Sequence, residues 1–133
     1  MNTFRLQIVT PDGLIYDEQA ERVMFRSMRG DVAILAGHCN YCTGIGMGEA
    51  KVVMPDGTVR RAACIGGMLT VMEGDCRLVA TTWEWSDEID KERAEAAKKK
   101  AEEKLAQKNL SDKEQKIAEA KLRRALVRIS VKS

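Results

Sequence analysis

Short apolar runs alternate with turn signals from residue 3 to residue 82. In the run FRLQIV, Phe4, Leu6 and Ile8 alternate with Arg5 and Gln7, which is the pattern of a half-buried strand. Six later runs have similar character: ERVMFRSM, DVAIL, EAKVVM, TVRRAACI, MLTVM and CRLVATTW. Their lengths and spacing predict an all-β sandwich or barrel.

Turn residues separate these runs. Both prolines of the chain lie in Pro-Asp-Gly, at residues 11–13 and 55–57, where proline fixes φ and glycine accepts a positive φ. Further turns are predicted at residues 29–31 and 73–75. The pair Gly66-Gly67 interrupts an apolar run, which indicates either a bulge or a close approach of two backbones.

After Trp85 the period changes to that of helices. Ser86 is predicted to cap a helix that runs to about Lys108, because the acidic Asp87 and Glu88 suit a helix start. Ser111 and Glu114 form a capping-box pattern for a second helix that reaches toward Ile129. A connection this short predicts an antiparallel hairpin. The fold class is therefore α+β, with an N-terminal all-β domain and a C-terminal two-helix hairpin.

The predicted seam of the hairpin is rich in alanine. Its members on the two helices are Ala94, Ala97, Ala101 and Leu105, and Ala118, Leu122, Ala125 and Ile129. A buried methyl group contributes only about 0.8 kcal/mol, and isolated helices of this length are marginal in water. A partner with a better surface could therefore separate the helices, which is a physical basis for a switch.

The composition indicates the size of the core, and the charge pattern bears on whether the chain binds nucleic acid. The chain has 133 residues, of which 44% are hydrophobic, enough for one modest core or a small domain with an appendage. Residues 1–86 hold eight Lys and Arg against ten Asp and Glu, and residues 87–133 hold fourteen against ten. Acidic residues interrupt the basic ones, as in KKKAEEK, and aromatic residues are absent after Trp85, so we expect no binding to nucleic acid.

The cysteines and the N-terminus indicate the compartment. Four cysteines occur without an N-terminal apolar signal, so we expect a reducing, cytoplasmic location. The longest uncharged run, residues 32–48, contains several glycines and His38 and is a poor candidate for a membrane span. We expect any membrane association to be peripheral and to depend on partners.

The segment GHCNYCTG holds the only histidine, His38, beside Cys39 and Cys42. These three residues could ligate zinc, with Cys64 or Cys76 as a fourth ligand, or could form a thiol-redox centre. Structural zinc normally uses two paired clusters, however, and a redox motif normally lies at a helix start. We therefore expect ordinary reduced cysteines, no metal and no required cofactor, and keep a stand-alone zinc or redox protein as the alternative.

Several segments together resemble the epsilon subunit of the bacterial F-type ATP synthase. They are LQIVTPDGLIYD, GDVAILAGH, GGMLTV and EIDKERAEAAKKKAEEKL, in the family order and covering essentially the whole chain. The segment LAGHCNYCTG corresponds to a family stretch that usually reads Pro-Gly-His-Ala-Pro-Leu. His38 is then the family histidine, while Cys39 and Cys42 depart from the pattern.

The resemblance implies a noncatalytic subunit of the central stalk, on the cytoplasmic side of the cell membrane. Residues 1–85 would form a β-sandwich that binds the gamma subunit and the c-ring. Residues 86–133 would form a regulatory hairpin, either compact or extended along gamma into the alpha/beta catalytic head, where it inhibits ATP hydrolysis. No catalytic residues are expected, and the coupling ion would be H⁺ or Na⁺.

The resemblance also implies two sites. The segment IDKERA matches a motif by which some epsilon subunits bind ATP as a regulatory ligand, and two arginines of the second helix match further family positions. The implied ATP set is Ile89, Asp90, Arg93, Ala94, Arg124 and Arg128. A solvated basic helix face is the alternative interpretation. Asp31, with His38 nearby, would contact the polar loops of the c-ring.

Overall fold

The computed structural model describes residues 2–132. It contains eight strands: β1 Phe4–Thr10, β2 Gly13–Ala20, β3 Arg22–Ser27, β4 Gly30–Leu35, β5 Tyr41–Gly44, β6 Met47–Val53, β7 Val59–Met72 and β8 Asp75–Trp85. A 3-10 turn, Ser86–Glu88, and the helices α1 Lys91–Leu105 and α2 Asp112–Lys132 follow. The predicted β-sandwich followed by two helices is confirmed.

The strands form one sheet that folds into two layers. Their order is β2-β1-β8-β7-β6-β3-β4, and β5 pairs with β7. Strand β1 pairs with the first half of β8, and β5 with the second half of β7. Strand β6 pairs with the first half of β7. The long strands β7 and β8 therefore belong to both layers, and their inward side chains, such as Leu69 and Leu78, form the core between the layers.

The corner between the layers lies at Gly66 and Gly67. Their φ values are 70° and 124°, and a Cβ atom on Gly67 would lie 2.0 Å from the carbonyl oxygen of Val79. The β7–β8 register does not shift across this point: Ile65 pairs with Thr82 and Gly67 with Ala80. Of the two predicted explanations for the glycine pair, the structure therefore has the close backbone approach.

Two strands were not predicted. Strand β2 is an edge strand in which only Tyr16 and Ala20 are buried, so it lacks a regular alternation. Strand β5 has only four residues and lies within the segment GHCNYCTG, which contains the candidate metal or redox residues. Both add to the layer that contains β1.

The first helix begins later than predicted. Ser86 opens the 3-10 turn, and Asp90 is the N-cap of α1, with its carboxylate accepting a hydrogen bond from the Arg93 backbone N–H at 3.1 Å. The helix ends at Leu105 rather than near Lys108. Ser111 does cap α2, because its hydroxyl oxygen accepts from the Glu114 N–H at 3.2 Å.

The seam of the hairpin is close to the predicted one. Ala94, Ala101, Ala118 and Ala125 are buried. Ala97 was predicted in the seam but is exposed, and Lys98 is half-buried instead. The spacing 94, 98, 101, 105 follows one helix face, and the aliphatic part of a lysine can cover such a face while its ammonium stays in water.

The chain divides between Trp85 and Ser86 into two compact parts, a β unit and a helical unit. The β unit comprises all eight strands, and the helical unit comprises the 3-10 turn, α1 and α2. Within residues 2–132, the structure contains no helix with the length and apolar character needed to cross a bilayer.

Candidate functional site

A groove of about 670 Å³ runs between α1 and α2 on one side of the hairpin. Four of its lining side chains are small or apolar: Ala97, Ala101, Ile117 and Ala118. The remaining lining residues, which we call the rim, are mainly basic: Lys100, Glu103, Lys104, Gln107, Glu114, Lys121, Arg124 and Arg128. A volume of this size lies within the range of about 300–1,000 Å³ that is usual for sites of small ligands.

Most of the rim cations face solvent. Lys104 Nζ lies 3.5 Å from Glu114 Oε2, so that cation is already paired. Among residues 2–132, neither Lys100 nor Lys121 nor Arg124 has an ion-pair or hydrogen-bond partner from its side chain. Three unpaired cations on two helices therefore meet at one groove, an arrangement that suits an anionic ligand with an apolar part.

The structure separates the predicted ATP residues into two groups. Arg124 and Arg128 line the groove. The IDKERA residues do not: Ile89 and Ala94 are buried, and Asp90 caps α1. Arg93, whose N–H the cap satisfies, is exposed. Lys121, which shares the basic stripe of the second helix with Arg124 and Arg128, also lines the groove. Lys100 was not predicted, because only the pairing of the helices brings it beside residues that lie 21 or more positions later in the chain.

An apolar stripe crosses the outer face of the layer that contains β1, and it too was not predicted. Leu14 pairs with Val9, Val9 with Val79, and Val79 with Met68. Directly paired residues share a face of the sheet, so these four side chains form a row across four strands. Met28 extends the row beyond Gly44, the partner of Met68, because a Cβ on Gly44 would lie only 3.0 Å from the Met28 Cγ.

The stripe is exposed over most of its length. Met28 is 75% exposed, and Met68 is 50% exposed. Leu14 and Val79 are also exposed, while Val9 is half-buried. A row of mostly exposed apolar side chains across neighbouring strands indicates a surface for a protein partner. We use the name apolar stripe for Leu14, Val9, Val79, Met68 and Met28.

The same face becomes polar farther along β1 and β2. Arg5 donates hydrogen bonds to both carboxylate oxygens of Asp17, at 3.0 and 3.1 Å, and Gln7 donates to the same carboxylate. The hydrogen bond from Arg5 holds the pKa of Asp17 below its ordinary value. This charged flank marks one boundary of the apolar stripe.

Asp31 and His38 lie at opposite ends of β4. Asp31 is the second residue of the strand, and its carboxylate is 3.7 Å from the Arg26 guanidinium. His38 lies beyond the last residue, Leu35, and its ring is 5.3 Å from that of Tyr41. At about 3.3 Å per residue, Asp31 lies roughly 13 Å from Leu35, the last residue of the strand. The structure does not bring these two predicted c-ring residues together.

The four cysteines differ in exposure and are not clustered with other metal-ligating side chains in residues 2–132. Within residues 2–132, no group of three His, Cys, Asp or Glu side chains is placed to hold an ion. Cys39 and Cys42 are exposed, whereas Cys64 and Cys76 are buried. Burial raises the pKa of both buried thiols to about 12, which disfavours the thiolate that zinc would require. His38 Nδ1 instead lies 2.7 Å from the Cys39 carbonyl oxygen.

Two family models match the chain in sequence. The model for the ATP synthase delta/epsilon chain beta-sandwich domain matches residues 3–86. The model for the ATP synthase delta/epsilon chain long alpha-helix domain matches residues 87–133. Together they account for nearly every residue.

Individual proteins give the same result. The chain is 40% identical over 101 residues to an ATP synthase epsilon chain of Alkaliphilus oremlandii, covering 76% of this chain and 75% of the relative. It is 34% identical over 99 residues to the sodium ion specific ATP synthase epsilon chain of Acetobacterium woodii, covering 74% of each. A chain in the cryo-EM structure of Euglena gracilis mitochondrial ATP synthase matches the fold, with a TM-score of 0.81, 21% identity and coverage of 91% of this chain and 76% of that chain.

Proposed function

The chain belongs to the ATP synthase delta/epsilon chain family, and on this basis we propose that it is the noncatalytic epsilon subunit in the central stalk of a bacterial F-type ATP synthase. Its β unit joins the gamma subunit to the c-ring, and its helices restrain ATP hydrolysis in the catalytic head. The observation that carries the proposal is the succession of the two family domains, whose matches meet within one residue of the boundary between the β unit and the helical unit.

The apolar stripe supports the binding of gamma. A rotor subunit transmits torque only through a stable interface, and such interfaces have an apolar centre surrounded by polar residues. Met68 and Val79 lie in the middle of the apolar stripe, and the Arg5–Asp17 pair borders it on one side. We therefore assign gamma to this face of the β unit.

The helical unit supports a regulatory role. Its buried seam consists mainly of alanine side chains, so little apolar area is lost when α1 and α2 separate. The extended helices would then contact the alpha/beta head, and the compact hairpin would release it. ATP is the proposed regulatory ligand, because a ligand that binds the compact state more tightly shifts the population toward that state.

Asp31 and His38 remain proposed contacts to the c-ring. Because they lie at opposite ends of β4, we propose that they act as separate contacts rather than as one site. Each would meet a polar group of the ring, Asp31 through its carboxylate and His38 through its imidazole. The subunit would be held at the cytoplasmic side of the membrane through the c-ring and gamma.

Assembly of purified protein with gamma and a detergent-solubilised c-ring tests the proposal. Met68→Glu should abolish assembly, because it places a charge in the middle of the apolar stripe. Val59→Glu is the matched control, since Val59 is also 50% exposed on β7 but lies outside the stripe. Equal assembly of both folded variants would contradict the assignment of gamma to this face, and failure of the wild type to assemble would contradict the rotor role.

A further inference from the structure

We infer that Met28 and Met68 form an oxidation site on the free subunit, and that conversion of their thioethers to sulfoxides by a peroxide blocks the docking of gamma. The inference rests on the proposed assignment of gamma to the apolar stripe. It adds to that assignment a chemical modification that acts before assembly, while the stripe is still open to solvent.

The two methionines are accessible and lie side by side. Met28 is 75% exposed, and Met68 is 50% exposed. Met68 pairs with Gly44, and a Cβ added to that glycine would lie 3.0 Å from the Met28 Cγ. Because Gly44 carries no side chain, nothing from β5 covers the space between the two thioethers. A small oxidant in solution can therefore reach both sulfur atoms.

Hydrogen peroxide alone supplies what the reaction needs. The thioether sulfur attacks one peroxide oxygen, and the O–O bond breaks as the S–O bond forms. The released hydroxide takes the proton from the transferred oxygen and becomes water. The sulfur is oxidised by two electrons, and the peroxide is reduced by two. The product is a polar, chiral sulfoxide in place of a flexible apolar group.

A sulfoxide is stable on the free surface but unfavourable in the interface. On the free surface its oxygen accepts hydrogen bonds from water, and docked gamma would remove that water. The other members of the stripe, Leu14, Val9 and Val79, have no side-chain donor to replace it. A polar group that is buried without a hydrogen bond weakens an interface, so we expect at least about tenfold weaker binding of gamma. An assembled subunit would be protected, because gamma covers both sulfur atoms.

Met72 is a matched control on the same strand. It is 63% exposed, so peroxide should oxidise it as readily as Met68. It also lies on the same face of β7, because the residues between them alternate, with Leu69 and Val71 buried. Met72 pairs with Asp75 at the far end of the strand, outside the apolar stripe. Its sulfoxide should therefore leave the binding of gamma nearly unchanged.

The test measures the affinity of the full chain for purified gamma before and after treatment with hydrogen peroxide. The parent protein carries Cys39→Ala and Cys42→Ser, so that exposed thiols do not react. Burial raises the pKa of Cys64 and Cys76 to about 12, so the reactive thiolate is scarce at neutral pH. Mass spectrometry locates the sulfoxides, and tryptophan fluorescence from β8 shows that the treated protein is folded. Methionine sulfoxide reductases for both epimers should restore the affinity.

Variants identify which methionines are responsible. Each protein is compared with itself, as the ratio of affinities before and after treatment, so any effect of a substitution on the untreated affinity cancels. The parent and Met72→Leu should each lose at least about tenfold, whereas Met28→Leu with Met68→Leu should lose less than about twofold, because leucine has no sulfur to oxidise. Equal losses in the variants, an oxidised parent with unchanged affinity, or treatment that leaves Met28 and Met68 unoxidised would each overturn the inference. An untreated parent that does not bind gamma would contradict the proposed function itself.

Discussion

Gly67 lies where β7 and β8 bend from one layer into the other, with a φ of 124° that L residues rarely adopt. A Cβ here would also meet the backbone of Val79 at 2.0 Å. We therefore expect Gly67→Ala to lower the free energy of unfolding of the β unit by more than about 3 kcal/mol. Both tryptophans lie on β8, so urea unfolding followed by tryptophan fluorescence measures this unit.

The control for this substitution is Gly57→Ala. Gly57 also has a positive φ, 89°, but a Cβ added to it would meet nothing within 4 Å, so only backbone strain of about 1–2 kcal/mol should appear. A loss at Gly67 no larger than at Gly57 would show that the corner can relax, and that the close approach is not what requires glycine.

Glu49 makes the stability of the β unit depend on pH. Its two carboxylate oxygens accept hydrogen bonds from Arg61 at 2.9 and 2.7 Å, and these bonds hold the pKa of Glu49 below the ordinary 4.5. A lowered pKa in the folded state means that the stabilisation is complete above the unfolded-state pKa and is lost as the pH falls through the folded-state pKa.

We therefore expect Glu49→Gln to lower the free energy of unfolding by about 1–2 kcal/mol at pH 7, where the carboxylate is charged. Below about pH 4 the difference from the wild type should shrink. Urea unfolding at both pH values measures it, with Glu18→Gln, an exposed residue of the edge strand β2, as the control. A difference that grows on acidification would contradict the sign of the linkage.

Cys39 and Cys42 should be dispensable. Both are exposed, and no metal cluster includes them in residues 2–132. Replacing them together, Cys39→Ala with Cys42→Ser, should change the free energy of unfolding by less than about 0.5 kcal/mol, as is usual for surface substitutions. Assembly and regulation should also be preserved. Stoichiometric zinc in the wild type, lost in the variant together with assembly, would revive the zinc alternative.

At the scale of elements, the alanine seam determines how closely α1 and α2 approach. Ala125 is 1% exposed, so a larger side chain has no space unless the helices separate. We expect Ala125→Leu to destabilise the helical unit by about 1–3 kcal/mol, through overpacking. Thermal melting followed by the helical circular dichroism signal measures the effect. Ala96→Leu, on an exposed position of α1, should be nearly neutral, and equal effects would contradict the seam.

The elements that the sequence predicted best have a regular period on one buried face, as in Phe4, Leu6 and Ile8 of β1. Strand β2 was missed because only Tyr16 and Ala20 of its eight residues are buried, so its apolar and polar residues do not alternate. The sequence predicts that α1 begins at Ser86. Asp90 is an equally good N-cap, however, and it too is followed by charged residues. Only the tertiary structure decides between them, through the burial of Ile89 and the 3-10 turn that precedes it.

At the scale of the whole molecule, the sequence could not predict the apolar stripe. Met68 and Leu69 are neighbours in β7, and Leu78 and Val79 are neighbours in β8; one of each pair is buried and the other exposed. Apolar residues on both faces of a strand do not reveal which face meets solvent. The stripe also brings together residues that are far apart in the sequence, such as Val9 and Val79, and their proximity follows from the order of the strands.

The two units should also separate experimentally. The core of the sandwich is formed by residues from Phe4 to Trp85, and the β unit ends at Trp85. We therefore expect a protein that ends at Trp85 to fold and to unfold cooperatively, because a domain that contains its own core can fold alone.

The shortened protein keeps the whole apolar stripe, so it should still join gamma and the c-ring. Inhibition of hydrolysis and the response to ATP should be lost with α1 and α2. The Met68→Glu change in this shortened protein should again prevent assembly, which separates loss of the interface from loss of the helices. An unfolded fragment, or a folded one that fails to assemble, would show that the helices take part in building the rotor rather than only in controlling it.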